Sequence, residues 1–291
     1  MGGLKEIRNR ITSVKSTRQI TSAMKMVSAA KLKKAQDRVV QIRPYANKLR
    51  EVLVEVSTGL NKDHNGIYNQ NRTPNNVLII LVASNRGLCG AFNSNVCKRA
   101  MQLVREKYST QAEAGNVEFL CIGKKAYEFV KKADFEIIQN DSDIFDKLSF
   151  ENVTKIAEYV MKLFADKVFD RVEIVYNSFK NAAVHEQKVE QFLPVSIEVE
   201  QRANPSEYIF EPSVEKIIDE MIPKSLKVQL FKTILDSNAA EHGARMTAMH
   251  QATDNATEMI KDLTLVYNKA RQAAITNEIL EITSGAEALK G

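Results

Sequence analysis

Ser84–Asn93 (SNRGLCGAFN) has the composition best suited to holding a charged ligand. It follows an apolar run and precedes a helical pattern. An α/β fold turns free backbone N–H groups toward phosphate at such a place. Gly87 and Gly90 give only a G-x-x-G spacing, without the close glycine pair of a dinucleotide loop. No G-x-x-x-x-G-K-[ST] occurs in the chain, so the segment reads as a tight strand-to-helix turn. His64, His185, His242 and His250 have neither an i, i+4 histidine partner nor a cysteine close by, which argues against a metal site. No G-x-S-x-G or paired nucleophile and base appears. Isolated carboxylates such as Glu241 and Glu278 fall on helical segments, where a solvated face is the ordinary explanation. In Lys269–Ala274 (KARQAA), Arg271 and Gln272 are followed by Thr276, and Gln272 shares a helix face with Thr276 at i, i+4. On a solitary helix these are plain surface residues. The chain offers no catalytic constellation.

The elements that carry these residues are of two kinds. Beyond Pro223 there is no proline, and up to Ala288 only Gly243 and Gly285 interrupt the side chains. Ala256, Met259, Leu263, Val266, Ala270, Ala273 and Leu280 make a 3-4 heptad seam with Asn277 as its polar exception. Such a helix is roughly 95–100 Å long, more than a compact domain of this size needs. At the other end Leu4, Ile7, Ile11 and Val14 start a second seam. After Arg18 it shifts to Ile20, Met24 and Val27, the pattern of a stutter. This helix continues through the Ala- and Lys-rich Ser28–Arg38 toward Val56 and ends at Gly59. Asn61–Asn76, rich in asparagine with Gly66 and Pro74, reads as a loop.

Between the two helices the texture changes. Val77–Ala83 is a continuous apolar run typical of a buried parallel strand. Strand patterns at Val117–Ile122, Phe135–Gln139 and Arg171–Phe179 alternate with helical patterns at Ala91–Tyr108, Lys124–Ala133 and Glu151–Lys167. Val184–Phe192 is placed beside the last strand as an edge hairpin. The alternation predicts an α/β domain with a mostly parallel, Rossmann-like sheet. Residues 194–212 are polar and hold Pro194, Pro205 and Pro212, and Pro223 is expected to kink or restart the following helix. The expected organisation is an N-terminal coiled-coil helix over 1–60, an α/β domain over 76–200 and a C-terminal helix over 211–291. The terminal helices pair antiparallel, and the far apolar tip overhangs its shorter partner.

Composition limits the function classes. The 291 residues are 44% hydrophobic and 26% charged, a soluble pattern, and no apolar run is long enough to span a membrane. Arg8, Arg10, Lys15 and Arg18 break every apolar stretch that a signal peptide would need. Cys89, Cys97 and Cys121, odd in number and without CxxC spacing, read as reduced thiols. Residues 1–50 carry thirteen Lys and Arg against Glu6 and Asp37, a balance of +11 within a chain of net +5. The N-terminal helix therefore faces an acidic partner. Nucleic acid is disfavoured because there is no aromatic residue before Tyr45, and membrane insertion because there is no Trp or Phe anchor.

Read together, four blocks carry a family resemblance. They are KEIRNRITSVKSTRQITSAMKMVSAAKLKKAQ at 5–36, SNRGLCGAFN at 84–93, EHGARMTAMHQATDNA at 241–256 and VYNKARQAAITNEILEITSGAEAL at 266–289. The chain resembles the γ subunits of the rotary proton-translocating ATP synthase, over its whole length. The resemblance implies a non-catalytic central stalk whose coiled coil fills a ring of three α and three β subunits. Its α/β domain would sit on the c-ring beside the ε subunit. Proton flow would turn the shaft and drive ATP synthesis on β. By the same resemblance Arg271, Gln272, Thr276 and Arg245 match contacts to the β catch loops, and Met24 and Lys25 match further shaft–β contacts. Tyr208 matches a position at the rotor foot. The basic stretch around Lys25, Lys31 and Lys33 would face acidic β loops. No cofactor is expected on this chain, since Mg-ATP and ADP would bind the α and β subunits, and no metal or nucleic acid is expected. A start at Met1 without a presequence points to a peripheral complex on the cytoplasmic face of a bacterial inner membrane. The alternative is a free-standing coiled-coil scaffold with an α/β binding domain, which predicts a stable dimer of the purified chain.

Overall fold

The structure, a computed structural model, describes residues 2–58, 66–182, 184–195, 211 and 213–288. Its elements are α1 (Gly2–Thr58), β1 (Val77–Val82), α2 (Phe92–Lys107), the short α3 (Ser109–Glu113), β2 (Val117–Ile122), α4 (Lys124–Lys132) and β3 (Glu136–Asn140). A 3-10 turn at Ser142–Phe145 leads to α5 (Phe150–Ala165), β4 (Arg171–Phe179), β5 (His185–Leu193) and α6 (Val214–Ala288). The chain divides into two compact units, Ala29–Arg245 and the paired segments Met1–Ser28 and Met246–Gly291.

The larger unit is built on a five-stranded sheet in the order β3-β2-β1-β4-β5. The first four strands are parallel and β5 returns antiparallel on β4. The central position of β1 explains its unbroken apolar run, because all six residues are buried on both faces. On one face Leu78, Ile80, Val82, Leu120 and Ile174 pack with Val153, Ile156 and Val160 of α5. Ile218, Ile222, Leu226 and Leu230 of α6 join the same core, with Leu53 and Val56 of α1. On the other face Ile79, Leu81, Phe119 and Cys121 pack with Val96, Ala100 and Val104 of α2 and Val130 of α4. The α/β sheet and its flanking helices are therefore as expected, with β5 at the edge position foreseen for the hairpin.

Pro223 does not restart the helix. α6 runs unbroken from Val214 to Ala288 with Pro223 inside it. Proline removes one intrahelical hydrogen bond, and Ile222 and Leu226 on either side of it are buried in the core. The expected helix end at Gly59 lies outside the described residues, and α1 is helical up to Thr58.

The seam of α1 also differs from expectation. Its shielded positions are Leu4, Ile7, Ile11, Val14, Arg18, Thr21, Lys25, Ser28, Leu32, Ala35 and Val39, an unbroken 3-4 alternation without a stutter. Ile20 and Val27, expected in the seam, are 61% and 57% exposed, while Met24 is half-buried beside it. The seam keeps its period through polar residues that satisfy themselves locally. Thr21 Oγ1 donates to the Arg18 carbonyl at 3.1 Å and Ser28 Oγ to the Met24 carbonyl at 2.7 Å. Following hydrophobicity alone leads off this seam at Arg18. On α6 the shielded line passes through Met249, Thr253, Ala256, Ile260, Leu263, Tyr267 and Ala270. Ile260 and Tyr267 thus take the places expected of Met259 and Val266, which are exposed.

Candidate functional site

In the smaller unit the two helix segments run antiparallel. The hydroxyls of Thr253 and Thr21 are hydrogen-bonded at 2.8 Å, and Lys25 Nζ lies 3.4 Å from His250 Nδ1. The same His250 nitrogen is 3.2 Å from Asp254. It cannot serve both at once: unprotonated it accepts from Lys25, protonated it donates to Asp254. Carrying the Thr21–Thr253 register outward, residue against residue, sets Leu4 opposite Ala270. From Arg271 to Glu287 every α6 residue is exposed.

That exposed stretch contains Arg271, Gln272 and Thr276. Among the described residues no hydrogen bond or ion pair engages the side chains of Arg271 and Gln272. The Thr276 hydroxyl donates back to the Gln272 carbonyl at 3.0 Å, so its lone pairs remain to accept from outside. Ile275, Ile279 and Ile282, at i, i+4 and i+7, form an apolar stripe along the same stretch, and all three are exposed. Met24 and Lys25 are half-buried on α1, and Tyr208 lies outside the described residues.

Arg245 has a different setting. It is 8% exposed, and its guanidinium donates to the carbonyl oxygens of Gly87 and, at 3.4 Å, Arg86. It also pairs with Glu241 one turn earlier at 2.5 Å. Glu241 is therefore buried and paired, not solvated as its position on a helix suggests. The i, i+4 spacing of the two residues was the available signal. Their other partners are backbone carbonyls far away in sequence, and no side-chain pattern marks those.

The polar groups of Ser84 and Asn85 in the loop between β1 and α2 are hydrogen-bonded within the loop and to its neighbours. The Ser84 N–H donates to Asn93 Oδ1 at 3.0 Å, and Ser84 Oγ donates to the Arg86 carbonyl at 2.6 Å. Asn85 Oδ1 accepts from the Lys124 N–H at 3.0 Å, capping α4, while its amide donates to the Ser142 carbonyl at 2.7 Å. The backbone amides of Ser84, at the exit of β1, and of Lys124, at the start of α4, thus have partners. Gly123, at the α4 N-cap, has φ 103°, and a Cβ there would stand 2.2 Å from the Ala83 carbonyl oxygen. Only glycine lets the exits of β1 and β2 pass this closely. Burial raises the pKa of the Cys89 thiol despite Arg245 nearby. Burial, then Lys31 and Arg245, lower that of His242 to about 4. Burial raises that of Asp236, with Arg43 at 3.5 Å opposing. Among the described residues no group of His, Cys, Asp and Glu could hold a metal ion, and no helix is long and apolar enough to cross a membrane.

The two-helix coil and the five-stranded sheet are features shared with known rotor proteins. The family described as ATP synthase matches residues 3–289, and the chain belongs to that family. Within it, the relatives are ATP synthase gamma chains. The ATP synthase gamma chain of Christiangramia forsetii is 53% identical over the full length of both chains. That of Flavobacterium psychrophilum is 55% identical, again over all of both. Among solved structures, a chain of the Tetrahymena thermophila mitochondrial ATP synthase central stalk and c-ring is 25% identical with a TM-score of 0.59. It covers 80% of this chain and 99% of its own. A rotor chain of the Euglena gracilis enzyme shares the fold at a TM-score of 0.67, covering 94% and 99%.

Proposed function

We propose that this chain is the turning shaft of an ATP synthase, coupling ion flow through the membrane sector to ATP synthesis and hydrolysis on an α and β subunit head. The observation that carries this reading is the end of α6. A two-stranded coil runs out of partner at Ala270, and the next seventeen residues carry an isoleucine stripe with no cover among the described residues. That stripe suits a sleeve formed by other subunits. Arg271 and Gln272 act as donors to the β catch loops and Thr276 as an acceptor, while Met24 and Lys25 meet β lower on the shaft. Each hydrogen bond contributes about 0.5–1.5 kcal/mol, so a contact biases one β state without stopping rotation. The coupling between shaft angle and nucleotide affinity acts in both directions.

In this reading the chain has no catalytic site of its own and binds no cofactor, since Mg-ATP and ADP sit on α and β. The ε subunit and the c-ring are its partners at the foot, with Tyr208 among the foot residues. The complex is peripheral on the cytoplasmic face of a bacterial inner membrane. The loop Ser84–Asn93, whose Ser84 and Asn85 groups are already hydrogen-bonded, supports this over a nucleotide-dependent enzyme. Co-expression with the α and β subunits is the test. A stoichiometric complex with ATPase activity is expected, whereas a stable dimer of the chain that ignores α and β would replace the shaft with a scaffold.

A further inference from the structure

One turn of α6, Glu241–Arg245, is held by the loops that leave the carboxyl ends of β1 and β4. These strands are neighbours in the sheet at the point where its order reverses, the place where open α/β sheets seat their ligands. Here the chain's own helix fills it. On the β1 side Arg245 fastens to the Gly87 and Arg86 carbonyls and is itself held by Glu241. On the β4 side the α6 backbone comes so near the β4–β5 turn that a Cβ on Gly243 would lie 2.9 Å from the Ala182 carbonyl oxygen. Beneath the turn Cys89 and Phe92 pack on Ala240.

The loop that grips is itself strained. Leu88 has φ 63° while its side chain is 66% exposed, so side-chain burial does not hold it there. A non-glycine residue keeps the left-handed conformation only where its surroundings over-determine it. The guanidinium fork on the two preceding carbonyls, with the Ser84–Asn93 hydrogen bonds, supplies that constraint. Further down α6, Ile218, Ile222, Leu226 and Leu230 meet the sheet through apolar packing, which resists separation but is non-directional. The Arg245 bonds are directional and oppose rotation of the helix against the loop.

We infer that the Glu241–Arg245 turn is a torsional clamp through which the α/β domain turns α6, with Arg245 as its positioning residue. Its mechanical consequence rests on the shaft reading, while its geometry does not. Arg245 is the last residue of the larger unit, so the clamp grips α6 at that unit's boundary.

The test uses the whole complex reconstituted in vesicles, with Arg245→Ala, Arg245→Lys and Glu241→Gln in this chain. Two quantities are read: amide hydrogen exchange over residues 86–93, and ions moved per ATP hydrolysed. In Arg245→Ala the loop amides are expected to exchange about tenfold faster while β1 and α5 keep their protection. Ions moved per ATP should fall to about half or less, because the domain and α6 no longer turn as one. Arg245→Lys, which keeps charge but loses the planar fork, should fall between. Unchanged loop exchange in Arg245→Ala overturns the clamp, as does a loosened loop with full ions per ATP. If Arg245→Ala fails to assemble, Glu241→Gln and Arg245→Lys decide by the same two readings. Failure of the parent chain to join α and β overturns the shaft reading instead, and the exchange measurement on the chain then decides the clamp alone.

Discussion

Thr21 and Thr253 meet hydroxyl to hydroxyl at 2.8 Å, 232 residues apart in sequence, and fix the register of the two-stranded coil. The residues around them are shared between apolar and polar types. A packed seam at this level thus depends on pairing polar groups as much as on excluding water, since an unpaired hydroxyl shielded from solvent is costly.

That register predicts a cross-link. Thr21→Cys with Thr253→Cys should form a disulfide under mild oxidation, because its sulfurs would replace oxygens already in contact. Cys89, Cys97 and Cys121 are buried and should not compete. A mobility shift on a non-reducing gel that vanishes on reduction checks the pairing. No cross-link in the double variant would refute the register.

The tip predicts a loss of turnover without a loss of fold. Arg271→Ala with Gln272→Ala removes only exposed side chains, so assembly should be intact. Two hydrogen bonds of about 1 kcal/mol each correspond to roughly a ten- to thirtyfold fall in ATPase rate if both act in the limiting step, and less if they share it. Unchanged turnover in an assembled complex would remove these residues from the β contact.

His242 predicts an acid limb in stability. Its folded pKa, about 4, lies below the ordinary value of 6.5 because burial, Lys31 and Arg245 all oppose its charge. Between those values the unfolded chain binds the extra proton. Stability from this group is therefore complete above pH 6.5, falls as pH drops toward 4, and changes no further below. The loss is on the order of 3 kcal/mol. Denaturation midpoints from pH 7.5 to 4.5 should flatten in His242→Gln, and an equally steep fall in that variant would assign the acid limb elsewhere.

Two glycines predict opposite signs. Gly123→Ala forces a Cβ onto the Ala83 carbonyl at a backbone angle suited to glycine, and should destabilise by about 3 kcal/mol or more. Gly285→Ala, on α6 with open space around it, should stabilise the helix by about 0.5–1 kcal/mol. Thermal midpoints of the two variants in the complex check both; a shift in the same direction for both would contradict the described environments.

Much of the fold is legible along the chain because its signals are local. The β1 run and the strand–helix alternation follow from burial of one sheet on two faces, and the long helices from the lack of breakers. Where polar residues hold a seam position, as Arg18, Thr21, Lys25 and Ser28 do, the apolar pattern drifts to Ile20 and Val27, which face outward. Arg271, Gln272 and Thr276 could be placed on an exposed helix from spacing alone, though not given a role. The clamp was not legible, because Arg245 is satisfied by carbonyl oxygens that any residue would present at positions 86 and 87.

The lone helix beyond Ala270 has one further consequence. A single helix has no rotational symmetry about its own axis, so Arg271 points in one azimuth only. A threefold ring of identical neighbours around it could never satisfy all three alike. At any instant one meets the guanidinium together with the isoleucine stripe, which begins one turn on at Ile275 along the same side, while the other two meet different faces of the helix. Identical sequences would thereby be forced into unlike states, and each state would pass to the next neighbour with every third of a turn.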